Sequence, residues 1–218
     1  METAMMIADN SVNLDDRILY LSADVNATSI ADICKQILAI EEVDRKGLEK
    51  FRNYTINPIR LYVQSFGGSI YDMWSLIDII EASQTPIITY CTGYCMSAAA
   101  SIFMAGHIRC MYEHAYLMIH QMYCYNGGKY EDTKIDAEQH EKLHKRNVKF
   151  LKEKTELPKK IFDKIGKSKE DVYLDAKHCL KYKICDKIVP KSNMRDILLQ
   201  QMSELEQCEC DCELDDME

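Results

Sequence analysis

Three side chains that can do chemistry together, a serine, a histidine and an aspartate, stand in this 218-residue chain at the ends of apolar runs. Ser97 follows Gly93-Tyr94-Cys95-Met96 and precedes Ala98-Ala99, which reads as a turn from a strand into a helix with the hydroxyl at the helix N-terminus. There the serine oxygen can serve as a nucleophile and the Ala98 N–H can face a developing oxyanion; an ordinary helix N-cap is the plain alternative. A serine hydroxyl needs a base, and His120 closes the run Tyr116-Leu117-Met118-Ile119. Asp171, opening Val172-Tyr173-Leu174, can orient the imidazole if the fold brings all three together, which spacing alone does not establish. Gly67-Gly68 ends an alternating run; glycine there permits positive φ and close backbone approach, so Gly68 N–H is a second candidate oxyanion donor, or the pair is a tight turn.

Two further patterns suggest metal chemistry. His140-Glu141-Lys142-Leu143-His144 satisfies H-E-x-x-H, in which imidazoles one helical turn apart hold zinc and the glutamate polarises water. It sits in a highly charged helix with no evident third ligand, so a solvated helix face is the expectation. Cys208, Cys210 and Cys212 alternate with acids in a spacing unlike a structural zinc site, and a disordered acidic tail is the stronger reading.

The elements that must position these residues alternate. Strands are expected at Ile18 to Leu21, Ile59 to Val63, Pro86 to Cys91, Ile108 to Tyr112, Tyr116 to Ile119 and Lys187 to Val189. Helical periodicity covers Asn26 to Glu42, Ile70 to Ile80 and Ser97 to Ala105, with a polar connection over Arg45 to Asn57 and a turn at Thr92-Gly93. Such alternation implies an α/β fold, a largely parallel sheet covered by helices. Asp132 to Thr155 is a charged helix whose sizeable apolar positions are Ile135, Leu143, Val148, Phe150 and Leu151. That stripe is too thin for a deep core and reads as a helix projecting from the body, to be covered by another subunit or by solvent.

Composition bounds the rest. The chain is 47% hydrophobic and 28% charged, ordinary for a globular protein that needs no disulfides to hold its core. With no secretory leader, the ten cysteines read as reduced thiols of a cytoplasmic protein. The net charge of -8 belongs to the end of the chain: the eight acids from Glu204 to Glu218 account for the whole excess of 35 acids over 27 Lys and Arg. A neutral body offers no basic surface for nucleic acid. The uncharged stretch between Glu81 and Arg109 is long enough to span a bilayer, but its Gln, Pro, Gly, Ser and Thr residues fit a buried strand and helix better, so no membrane segment is expected.

Four segments together resemble the ClpP family, the proteolytic subunits of the Clp protease: Gln64-Ser65-Phe66-Gly67-Gly68-Ser69, Gly93 to Ala99, Met118-Ile119-His120-Gln121, and Glu170 to Ala176, in the family's order and approximate spacing. The similarity runs from about Arg17 to Val189. It implies a ClpP/crotonase-like ββα superhelix with Ser97 as nucleophile, His120 as general base and acid, Asp171 as its orienting partner, and Gly68 and Ala98 as the oxyanion hole. It implies that the projecting helix is the family's handle, by which two heptameric rings stack into a homo-oligomeric chamber. An AAA+ ATPase unfoldase would then deliver unfolded polypeptide, and hydrolysis would need no cofactor. The chain departs from the family at Phe66 and Met122, where proline is usual, at Ala98 in place of methionine, and at Lys183 in place of glycine; its segment before Arg17 is short. Residues 1–16, 17–190 and 191–218 are expected to form a short N-terminal segment, the protease domain and an extension ending in the acidic tail. The alternatives are a phage-type protease that matures a capsid scaffold, and an inactive ring or scaffold component of the same fold.

Overall fold

A computed structural model describes residues 17–124, 127–167, 170–195 and 197–199. Period-two burial shapes the first strands: Leu19 and Leu21 in β1 (Ile18–Leu21), and Ile59, Leu61 and Val63 in β2 (Ile59–Ser65), face the core while their neighbours face outward. β1 pairs in parallel with β2, and β2 in parallel with β3 (Ile87–Met96). The crossovers are α1 (Ala27–Lys50) and α2 (Ile70–Ala82), giving the expected repeated βα unit. α3 (Ala98–Ala105) is buried along its whole length, which explains its run of small residues. β4 (Ile108–Tyr112) and β5 (Tyr116–Ile119) both pair in parallel with β3. α4 (Tyr130–Lys154) and α5 (Lys159–Lys167) precede β6 (Val172–Asp175), which runs antiparallel to β5. α6 (Ala176–Lys181) leads to β7 (Lys187–Val189), next to β4 in the sheet. This is the mixed α/β architecture, largely parallel and helix-covered, that the sequence suggests.

Residues from Val189 onward form a separate unit, described only over 189–195 and 197–199. The segment before Arg17 and the acidic tail with Cys208, Cys210 and Cys212 lie outside the described residues. Among those described, no helix is long and apolar enough to cross a membrane. The uncharged stretch between Glu81 and Arg109 instead holds β3, whose Ile87, Thr89, Cys91 and Cys95 are buried, and α3, buried throughout.

Three expectations are corrected. Thr92-Gly93 is not a turn, because β3 continues through it. Val63 pairs with Cys91 but Ser65 with Cys95, so β3 carries extra residues there, with Gly93 at φ +63°. The irregularity divides the work of the strand: Ile88 to Cys91 pair with β4, and Tyr94 to Met96 pair with β5. Secondly, the thin apolar stripe of α4 is used within the chain. Leu143, Phe150 and Leu151 are buried, Phe150 meets Trp74 edge-on at 5.5 Å between ring centres, and the Arg146 guanidinium lies 4.1 Å over the indole. Ile135 and Tyr130, at the other end of the helix, are exposed.

Thirdly, α1 runs on through Arg45 to Lys50, where a polar connection was expected. Its Asp44 is 2% exposed and holds the extension to the body. The carboxylate accepts bonds from Arg17 at 2.5 and 2.8 Å, from the Thr85 hydroxyl at 2.6 Å and from the Tyr54 hydroxyl at 2.6 Å. Burial alone would raise this carboxyl, but the bonds from Arg17, Thr85 and Tyr54 outweigh it and hold the group at about 2. Since the unfolded value is about 3.9, the contribution of Asp44 to stability is complete above roughly pH 4 and is lost as pH falls through about 2. Asp44→Ala leaves the Arg17 guanidinium without its carboxylate, with only the Asn57 carbonyl and Tyr54 hydroxyl as partners among the described residues, and is expected to cost about 3 kcal/mol, read as a fall in midpoint of roughly 6–12 °C in thermal unfolding. A variant melting like the natural chain would show the network to be ornamental.

Candidate active site

The sheet registers bring the sequence-separated candidates together. Parallel pairing of β3 with β5 sets Met96 against Met118, and the next backbone bond continues it: Ser97 N–H donates to the Met118 carbonyl at 2.9 Å. Antiparallel pairing of β5 with β6 sets Ile119 against Val172, so one step further His120 stands beside Asp171. His120 Nε2 lies 2.7 Å from Ser97 Oγ, and His120 Nδ1 lies 3.9 Å from Asp171 Oδ1. The first is a hydrogen bond; the second is an ion-pair distance, too long for one. Asp171 has little competition for the imidazole. Glu170 pairs with Lys164 at 2.5 Å, and Asp175 caps α6 by accepting from His178 N–H at 2.8 Å. That backbone bond and the His178 ring hold the Asp175 carboxyl below the usual range.

Ser97 is not an ordinary N-cap. It precedes α3 with φ +53° and ψ -123°, and its side chain caps no helical N–H. A non-glycine residue in that region is strained by about 1–3 kcal/mol and persists only where its surroundings fix it. Here they do. The Met118 bond holds its amide, Ala100 N–H donates to its carbonyl at 3.0 Å, and Gly67 presses on the turn. A Cβ on Gly67 would fall 2.8 Å from Ser97 Cβ and 2.9 Å from Ala98 N. The strain aims Oγ away from the helix and at the imidazole.

Gly68, at φ +147°, is held by a bridge to Val25: Val25 N–H donates to the Gly67 carbonyl at 2.8 Å, and Ser69 N–H to the Val25 carbonyl at 2.7 Å. The Gly68 and Ala98 N–H groups donate to no acceptor among the described residues, and both residues line the cavity that holds Ser97 and His120. Two backbone donors beside an activated hydroxyl suit the tetrahedral intermediate of acyl transfer. The cavity, about 430 Å³, is also lined by Asn147 and Ser101, which nothing in the sequence marked out. Asn147 stands in a charged stretch of α4 and reaches the cavity only through tertiary packing.

The remaining candidates are not drawn into this site. His140 and His144 lie on α4 with Leu143 buried between them, and the described residues contain no group of three His, Cys, Asp or Glu side chains placed to hold a metal ion. Cys95, two residues before Ser97, is fully buried against the Val63 carbonyl at 3.3 Å, and burial pushes its thiol up, so it is no rival nucleophile. The other described cysteines are also unpaired, and all but Cys124 are buried. Lys183 takes φ +52°, the conformation implied by the glycine it replaces, and its ammonium pairs with Glu156.

Comparison with known proteins identifies the family. A family model described as Clp protease matches residues 3–192. ATP-dependent Clp protease proteolytic subunit 1 of Shouchella clausii is 28% identical over 180 residues, 81% of this chain and 86% of that protein. Subunit 1 of Prochlorococcus marinus is 27% identical over 192 residues, covering 84% and 89%. Subunit 2 of a Synechococcus species is 27% identical over 188 residues, covering 82% and 85%. A match over most of the chain, on a fold of the expected class, places it: the chain belongs to the Clp protease family and is a serine peptidase of the Clp type.

Proposed function

We propose that Ser97 is the nucleophile of this peptidase, with His120 as general base and acid, Asp171 as the carboxylate that orients the imidazole, and the Gly68 and Ala98 N–H groups as the oxyanion hole. The observation that carries the reading is the 2.7 Å approach of His120 Nε2 to a strained, non-capping serine. His120 takes the hydroxyl proton as Oγ attacks the peptide carbonyl, then returns it to the departing amine. A serine acyl-enzyme is left, and water activated by the same imidazole hydrolyses it. Closing the His120–Asp171 gap to a hydrogen bond takes a movement of about 1 Å, the kind of tightening apo sites make on binding substrate. An inactive scaffold would have no physical need for the serine–histidine bond.

The relatives are named as ATP-dependent proteolytic subunits, which supports an assembly that works with an ATPase. On this reading the chain forms a cytoplasmic homo-oligomer, two stacked heptameric rings enclosing the sites, fed with unfolded polypeptide by an AAA+ ATPase. The exposed end of α4, with Tyr130 and Ile135, is the surface available for ring stacking. Unfolding a typical domain costs about 5–15 kcal/mol, and the chain has no G-x-x-x-x-G-K-[ST] nucleotide loop to supply it. The test gives the purified chain a short fluorogenic peptide and a stably folded reporter, then adds candidate AAA+ ATPases with ATP. The peptide should be cut unaided, and the reporter only with an unfoldase. Rapid unaided digestion of the folded reporter would defeat the chambered part of this reading while leaving Ser97 untouched.

A further inference from the structure

The cavity beside Ser97 carries a polar pair that the cleavage chemistry does not use. Ser101 lies one helical turn beyond Ser97 on α3, about 6 Å along the axis, and is 3% exposed. Its hydroxyl donates to Asn147 Oδ1 at 3.4 Å, and both residues line the cavity. The Asn147 NH2 donates to nothing among the described residues. If the amide is turned over, the Ser101 hydroxyl accepts from the nitrogen instead and the carbonyl becomes the free group. Either way one polar end of Asn147 is committed to Ser101 and the other is left for a ligand. The same cavity has apolar lining from Ile70, Met73 and Ala100. Among the described residues no Asp, Glu, Lys or Arg lines the cavity, so a charged side chain would find no counter-charge from them.

We infer that Asn147, positioned by Ser101, is the specificity determinant of the site, and that it selects a neutral carboxamide, glutamine before asparagine, as the substrate residue on the acyl side of the cleaved bond. The inference rests on Ser97 being the nucleophile. A carboxamide presents both a donor and an acceptor, so it satisfies Asn147 in either amide orientation. The two methylenes of glutamine lie along the apolar walls and carry the amide to the pair one turn away; asparagine is one methylene short. An alkyl side chain fills the same walls but leaves the Asn147 amide desolvated without a partner, which a site built on hydrogen bonds rejects.

The test uses two peptidyl diphenyl phosphonates that differ only at this residue, one with a glutamine and one with a leucine side chain, and measures the rate at which each modifies Ser97 of the full-length protein. Phosphonylation joins Ser97 Oγ to phosphorus and releases phenol, so no turnover or partner is needed. The glutamine probe should react at least about tenfold faster. In Asn147→Leu the ratio should fall to one or below, and in Ser101→Ala, which removes only the hydroxyl that holds the amide, it should shrink towards one. Equal rates, a faster leucine probe in the natural chain, or a ratio unmoved by both substitutions would overturn the inference while leaving the nucleophile in place. Modification by neither probe would defeat the assignment of Ser97 and this inference with it.

Discussion

Ser97→Ala is expected to lower peptide turnover at least about a thousandfold while the protein folds and melts as before. The magnitude follows from the unit character of the site: with the hydroxyl gone, His120 has no proton to take and no acyl-enzyme can form, leaving only what binding and the oxyanion donors supply. Stability should not fall, because Oγ caps no helix and, among the described residues, its hydrogen bond is to His120 alone. Alanine inherits the φ of +53°, so backbone strain is unchanged and a small gain in midpoint is permitted. Steady-state hydrolysis of a fluorogenic peptide, with a thermal melt of the same sample, checks both halves. Turnover within tenfold of the natural chain would remove Ser97 from the mechanism.

Gly68→Ala should be nearly as damaging, through geometry. A Cβ at this position would fall 2.3 Å from the Val25 carbonyl oxygen and would have to be carried at φ +147°. The bridge to Val25 must open, and the Gly68 N–H turns away from the cavity. Loss of one oxyanion donor elsewhere costs roughly 100- to 1000-fold in kcat, so a fall of that order is expected here, mostly in kcat and little in KM. The backbone strain adds about 1–3 kcal/mol of lost stability. Kinetics below the melting transition separate the two effects, and a variant with normal kcat would take Gly68 out of the oxyanion hole.

The sequence was most legible where apolar periodicity and local chemistry agree. The strand at Ile59, the helix from Ile70 and the small-residue run after Ser97 carry their own signals. The extension of α1 did not, because Arg45 to Asn57 reads as a polar connection; Asp44 is buried by partners at positions 17, 54 and 85 that no local window contains. Gly93 looked like a turn because a bulge and a turn use the same residue; only the differing partners of β3 tell them apart. At the site, motif and strand ends pointed to Ser97, His120 and Gly68, whereas the nearness of Asp171 is a matter of β5–β6 register. Asn147 was silent for the same reason as Asp44: its meaning comes from what α4 packs against.

The central claim is that one strained serine, activated by one histidine, performs the covalent step. Labelling the full-length protein with a fluorophosphonate and mapping the adduct by peptide mass spectrometry tests it most directly, since the reagent reports the nucleophile without needing a natural substrate or an ATPase. Stoichiometric modification of Ser97 alone, at least about a hundredfold slower in His120→Ala, is the predicted result. An unlabelled Ser97, or an adduct on another residue that persists in Ser97→Ala, would contradict the account.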